Sequence, residues 1–119
     1  MDRAETAVQR KRSCNCCQAV LLAYADKLGM EEAQLLKLGA AFGAGMGGMQ
    51  GTCGALVGAE MVLGLLGGSM AKARALHQDF TQRCGASLCK DLKGIGTGKV
   101  LCPCDECVRN AVLALEAGI

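Results

Sequence analysis

The spacing of apolar residues along this chain predicts helices. After Asn15, the residues Cys17, Leu21, Tyr24 and Leu28 recur at helical spacing and form one apolar face. Similar stripes follow Ser69 and Pro103, while residues 2–11 and the residues around Cys89 predict shorter helices. No segment alternates as a strand does. The sequence therefore predicts an all-α fold: a small helical bundle of four main helices plus one or two short ones, with no significant sheet, in a single domain over residues 1–119.

The stretch from Gly43 to Gly68 is the centre of this pattern, because it joins a glycine-rich loop to an apolar helix. Thr52 is a suitable N-cap, which makes Cys53 the first residue of the helix. The free amide groups of a helix start stabilise an anion, so we expect a thiolate there. We expect a small-residue face at Gly54 and Gly58 to admit a close neighbouring helix. The predicted loop donors are Gly47, Gly48, Gly51 and Gly54.

The composition limits the possible partners. The net charge is +2, and the short basic run Arg10–Arg12 has no second basic cluster to support it, so we expect no nucleic-acid binding. Hydrophobic residues make up 51% of the chain but only three residues are aromatic. Helices with a bare glycine face often need a partner to cover them, so we expect a homodimer, the commonest symmetric assembly.

Nine cysteines point to metal or redox chemistry. The first thirteen residues contain no apolar signal segment, and glycines break the uncharged stretch between Leu38 and Leu66. We therefore expect a cytoplasmic protein without membrane insertion. In a reducing compartment, cysteines bind metals or exchange electrons more often than they form a disulfide framework.

Four of these cysteines fall in the first turn of separate predicted helices. A residue suited to helix starts precedes each one: Ser13 or Asn15, Thr52, Ser87 and Pro103. Four helix starts that converge would supply four polarised thiols and many free amides, which is what an iron–sulfur cluster requires. The predicted ligands are Cys16, Cys53, Cys89 and Cys104.

A second arrangement uses different cysteines. Cys14 and Cys17 form one C-x-x-C pair, and Cys104 and Cys107 form another, with Cys102 just before it. Paired C-x-x-C units are typical of a structural zinc site. Both arrangements use Cys104, so they cannot both be complete, and these residues stay open as additional or alternative ligands: Cys14, Cys17, Cys102 and Cys107. Cys84 lies at a predicted helix C-terminus, where the dipole disfavours a thiolate, and we expect it to lie outside the site.

The strings NCCQAVLLAYADKLG, GAGMGGMQGTCGALVGA, SLCKDLKG and CDECV resemble the C_GCAxxG_C_C family of redox proteins. The specific part is the CGAxxG core formed by Cys53, Gly54, Ala55 and Gly58. The resemblance maps the four characteristic cysteines of the family to Cys16, Cys53, Cys89 and Cys104, with Cys102 or Cys107 as alternatives to the last. A related module occurs in split-Soret cytochromes c beside haem, which implies by analogy a cluster without haem in this chain.

These observations favour a redox protein with an iron–sulfur cluster, [2Fe–2S] or [4Fe–4S], that acts in electron transfer or redox sensing with a redox partner protein. Two other classes stay open. One is a thiol–disulfide protein without metal, in which Cys53 attacks and another cysteine resolves. The other is a zinc-binding structural or carrier module. The chain shows no acid–base pair and no nucleotide motif, so no enzymatic activity is assigned.

Overall fold

The computed structural model describes residues 2–119, and these residues form helices without any strand. The all-α prediction is confirmed, although the helical residues divide into more segments than predicted. The helices are α1 (Arg3–Arg10), α2 (Cys16–Ala23), α3 (Ala25–Leu28), α4 (Glu32–Gly39), α5 (Gly54–Leu65), α6 (Met70–Cys84), α7 (Cys89–Leu92) and α8 (Cys104–Gly118).

Helices α2, α5 and α8 form the centre of the bundle. Helix α2 packs against α1, α4 and α5, while α8 packs against α1, α5 and α6. The core is built from small and branched side chains, and Tyr24 and Phe80 are its largest buried residues. Helix α1 belongs to this core, because Ala4, Ala7 and Val8 are buried. No helix among residues 2–119 combines the length and the hydropathy needed to span a bilayer.

The beginning of α2 agrees with the prediction, and its end does not. The Asn15 side chain accepts a hydrogen bond from the Gln18 amide at 2.8 Å, and the Gln18 side chain accepts one from the Asn15 amide at 3.0 Å. This reciprocal pair is a capping box. The predicted continuous helix is interrupted at Tyr24, whose backbone leaves helical geometry at φ −112° and ψ 12°. Helix α3 then ends at Gly29, where φ is +63° and glycine is favoured.

The buried stripe predicted after Ser69, which is formed by Met70, Ala73, Leu76 and Phe80, is only partly correct. Leu76 and Phe80 are buried as expected, but Met70 is 74% exposed. The fully buried residues of α6 begin at Leu76, and Ala73 is only partly buried against the core, so Met70 lies beyond it. Periodicity alone finds the apolar face of a helix and does not show how far along that face the neighbouring helices reach.

The close contact predicted at the small-residue face of α5 is present, and α2 is the neighbour. A methyl group added at Gly58 would lie 2.8 Å from the Cys17 carbonyl oxygen. One added at Gly54 would lie 2.6 Å from the carbonyl oxygen of Phe42. Real Cβ atoms do not approach backbone oxygens so closely, so both positions need glycine to let the backbones meet. This contact brings the start of α2 beside the start of α5.

The homodimer expected from the sequence stays a prediction. Several large apolar side chains are exposed at the surface, among them Leu65, Leu66, Met70, Ile95 and Val100. Burying such surface in a symmetric contact would stabilise an assembly. We expect analytical ultracentrifugation at micromolar concentration to give twice the monomer mass, and a single monomeric species would contradict this prediction.

Candidate functional site

The four cysteines predicted at helix starts line one cavity of about 250 Å³. Cys16, Cys53 and Cys89 are buried, and Cys104 is half-buried. The remaining lining comes from Lys11 and Lys93, which supply the only charges, and from Asn15, Ala44, Met49 and Gly54. Four helix starts therefore meet around one space. That these thiols bind a metal ion or a cluster stays a prediction.

Cys53 and Cys89 are held beside each other by a short backbone pairing. The Cys53 amide donates to the Ser87 carbonyl oxygen at 2.8 Å, and the Cys89 amide donates to the Gly51 carbonyl oxygen at 2.9 Å. Between these bonds, Thr52 pairs with Leu88 as an isolated antiparallel bridge. Two segments more than 30 positions apart along the chain are thus aligned. Cys53 and Cys89 each come directly after the paired residue of their segment.

Three of the four helix starts at the site, those of α5, α7 and α8, differ from prediction by one residue. Cys53 is the N-cap of α5, and the helix begins at Gly54, so Thr52 does not cap it. Cys16, Cys89 and Cys104 are each the first residue of their helix. Leu88 precedes α7 in place of the predicted cap Ser87, and Pro103 precedes α8 as its N-cap and is not its first residue. Ser87 and Thr52 instead take part in the backbone pairing, which overrides their capping tendency.

The glycine-rich segment forms a turn over Gly45–Met49 with several left-handed residues. Gly45 has φ +60°, and a methyl group there would lie 2.8 Å from Cβ of Cys89, so glycine lets the turn approach α7. Gly47 and Gly48 are exposed, whereas Gly54 lines the cavity. The Gly51 amide donates to the Gly45 carbonyl oxygen at 3.0 Å, so that donor is already engaged within the turn.

The expectation that Cys53 is a ready thiolate is wrong. The neighbouring Cys107 thiol, together with burial, raises the pKa of Cys53 far above its ordinary value. The amides of Ala55 and Leu56 at the start of α5 lower the pKa, as predicted, but by less. The local helix effect is present, and the tertiary environment outweighs it.

Two other cavity thiols, those of Cys16 and Cys89, share this preference for the protonated form. Burial, with the neighbouring Cys104 and Cys53, raises the pKa of Cys16 to about 12. Burial also raises the pKa of Cys89, while the Lys93 ammonium acts in the opposite direction. A metal ion that binds these thiols releases their protons to solvent at a lower pH than in its absence, because the bound cation stabilises the thiolate directly.

A second group of thiols lies in contact with the first. The sulfurs of Cys84, Cys102 and Cys107 all lie within 4.8 Å of one another, and all three residues are buried. Within residues 2–119, this is the only group of three or more potential metal-ligand side chains so close together. The Cys107 thiol of this group and the Cys53 thiol of the cavity affect each other's pKa, so the two groups are neighbours. Cys84 was expected outside the site, and no local pattern could have revealed its neighbours.

The cysteines of the alternative zinc arrangement are distributed differently. Cys104 lines the cavity, while Cys107 belongs to the second group. The half-buried Cys14 thiol donates to the Arg10 carbonyl oxygen at 3.1 Å, and the buried Cys17 thiol lies 3.8 Å from the Met61 sulfur. The two C-x-x-C pairs are therefore not assembled into one compact group.

The raised pKa values predict that the metal-free protein loses stability in alkali. Burial raises the pKa of Cys16 and Cys17 to about 12 in the folded state, whereas an unfolded cysteine has a pKa of about 8.5. Above that pH the unfolded chain loses protons that the folded chain keeps. Between pH 7 and pH 10 we expect each of these two thiols to lower the free energy of unfolding by about 2 kcal/mol.

Thermal unfolding of the metal-free protein between pH 7 and pH 10 measures this effect. The stabilising contribution is complete below about pH 8.5 and declines as the pH rises toward 12. Cys17→Ala is the matched control, because it removes one of the two thiols and should make the decline shallower. A melting temperature that stays constant to pH 10 would contradict the prediction.

A known protein family matches the chain. The family model described as "Putative redox-active protein (C_GCAxxG_C_C)" matches residues 14–117, which include all nine cysteines. No curated protein and no solved structure matches the chain significantly.

Proposed function

This chain belongs to the C_GCAxxG_C_C family of redox-active proteins, and on that premise we propose that it carries an iron–sulfur cluster in the cavity and transfers or senses electrons. The observation that carries the proposal is the convergence of four helix starts, each with a cysteine, on one space. In this proposal the ligands are Cys16, Cys53, Cys89 and Cys104.

The spacing of the cavity thiols supports a cluster over a single ion. One ion with metal–sulfur bonds of about 2.3 Å needs its sulfurs close together. No three cavity cysteines form a group with sulfurs within 4.8 Å of one another, in the part of the chain that is described. Several iron atoms spread their ligands over a wider space, and the four thiols surround such a space.

The charge of the cavity also supports the proposal. Four thiolates around an iron–sulfur core give the bound group an overall negative charge. Lys11 and Lys93 line the cavity and no carboxylate does. Two cations beside the site stabilise the bound group and favour its reduced, more negative form, so both lysines would act as determinants of the reduction potential.

The chain's own residues then perform three tasks. The cysteines hold the cofactor, which supplies one-electron chemistry when bound. The amides of Ala55 and Leu56 act on the Cys53 sulfur and stabilise its thiolate. The buried position of three of the four cysteines keeps water from the sulfurs, which protects them from oxidation.

Anaerobic purification followed by spectroscopy and metal analysis tests the proposal. We expect a brown protein with broad absorption between about 400 and 600 nm that bleaches on reduction with dithionite, together with iron and acid-labile sulfide in equal amounts. A colourless protein without iron after reconstitution with ferrous iron and sulfide would overturn it. A redox-dependent disulfide at Cys53 in that iron-free protein would favour the thiol–disulfide alternative.

A further inference from the structure

The second group of thiols has the composition of a metal site of its own. Cys84 is the last residue of α6, Cys102 lies in the loop before α8, and Cys107 is in the first turn of α8. Three segments thus place three buried sulfurs within 4.8 Å of one another. We propose that these cysteines bind one divalent thiophilic ion, of which Zn²⁺ is the type, separately from the cavity cofactor.

The distances suit a single ion. With metal–sulfur bonds of about 2.3 Å, sulfurs around one ion lie roughly 4 Å apart. The three sulfurs satisfy this spacing after small rotations of their side chains. These three residues are therefore the ligands in this proposal, and Cys53 stays with the cavity. The wider cavity cannot offer a single ion three close sulfurs without rearrangement.

The charges around the group indicate the ion's valence. The Lys93 ammonium donates to the Cys107 sulfur at 3.3 Å and to the Cys102 carbonyl oxygen at 3.1 Å. Among residues 2–119, no carboxylate lies within 4.0 Å of this half-buried cation. Three thiolates and a divalent ion leave one negative charge beside Lys93, whereas a monovalent ion would leave two. The arrangement therefore favours a divalent ion.

Neutral donors support the same sulfurs. The Asn110 side-chain amide donates to the Cys84 sulfur at 3.5 Å and reaches the Cys102 sulfur at 4.0 Å. Amide donors in the outer shell stabilise thiolate ligands and fix their orientation. Lys93 and Asn110 thus supply outer-shell contacts to all three cysteines. A bound ion would tie the end of α6 to the start of α8 and so position Cys104 at the cavity.

Cobalt binding to a cavity-deficient chain tests the site independently of the proposed function. In the full chain carrying Cys16→Ser, Cys89→Ser and Cys104→Ser, no cavity cofactor can form, and circular dichroism monitors the fold. We expect one equivalent of Co²⁺ to bind with thiolate-to-cobalt charge-transfer absorption, and Zn²⁺ to displace it. Adding Cys84→Ser should weaken binding by more than about 100-fold, whereas adding Cys14→Ser should not.

A second measurement keeps the test decisive if the Cys84→Ser chain fails to fold. Alkylation of the cavity-deficient chain with and without Zn²⁺, mapped by mass spectrometry, should show protection of Cys84, Cys102 and Cys107. Absence of charge-transfer absorption, or protection of Cys14 and Cys17 in place of these three, would overturn the proposal. Loss of iron in the unsubstituted protein would overturn the cavity cofactor alone, because cobalt binding does not depend on it.

Discussion

Cys53→Ser should leave the protein folded while reducing its iron content and visible absorption to background. Serine is nearly isosteric with cysteine and suits the N-cap position that Cys53 occupies before α5, so the helix has no reason to change. Its hydroxyl does not ionise near neutral pH and is a poor iron ligand. We expect at least a 100-fold loss of cofactor affinity, since changes even in the outer shell cost about 10–100-fold.

Cys14→Ser is the matched control for this prediction. Its half-buried thiol donates to the Arg10 carbonyl oxygen and does not line the cavity. Iron, sulfide and zinc would be measured for both variants after identical anaerobic reconstitution, with circular dichroism to compare helix content. If Cys14→Ser loses the iron and Cys53→Ser retains it, the cavity is not the cofactor site and the C-x-x-C arrangement regains support.

Gly58→Leu should destabilise the protein strongly, because its side chain would enter the contact between α5 and α2. Even its first carbon would lie 2.8 Å from the Cys17 carbonyl oxygen and 3.1 Å from Cβ of Val20. Both contacts belong to the central helix α2, so the helices must separate to admit the side chain. We expect a loss of about 3 kcal/mol, at the upper end of overpacking costs, and a melting temperature lower by about 10 °C.

Two glycine-to-alanine substitutions in α5 separate the effect of packing on stability from the effect of helix propensity. Gly64 is exposed and has no atom within 4 Å of an added methyl group. Gly64→Ala should therefore stabilise the protein by about 0.5–1 kcal/mol, because alanine is the better helix former. Gly58→Ala should destabilise it despite the same gain. Equal shifts in melting temperature for the two variants would show that α2 and α5 do not meet closely at Gly58.

The close α2–α5 contact also determines the position of the site. Cys16 and Cys17 begin α2, and Cys53 immediately precedes α5. When Gly54 and Gly58 let the two backbones meet, the cysteines at the two helix starts come to the same end of the bundle. A bulky residue at Gly58 should therefore reduce cofactor binding as well as stability, although it touches no cavity residue.

The sequence alone determined the features that depend on local spacing. Periodicity predicted an all-α chain, and the small face at Gly54 and Gly58 predicted close helix packing. The placement of Cys16, Cys89 and Cys104 at helix starts also follows from short-range signals. These properties require only the conformational preferences of neighbouring residues, which act within one or two helical turns.

Only the tertiary structure decided what each cysteine contacts. The backbone pairing of residues 51–53 with 87–89 aligned Cys53 and Cys89, and it displaced Thr52 and Ser87 from the caps predicted for them. The neighbouring Cys107 thiol and burial raised the pKa of Cys53 against the local helix effect. Cys84 joined Cys102 and Cys107 because α6 packs against α8. Such contacts join residues far apart in the chain, and their energies depend on burial and three-dimensional distance, which no local pattern encodes.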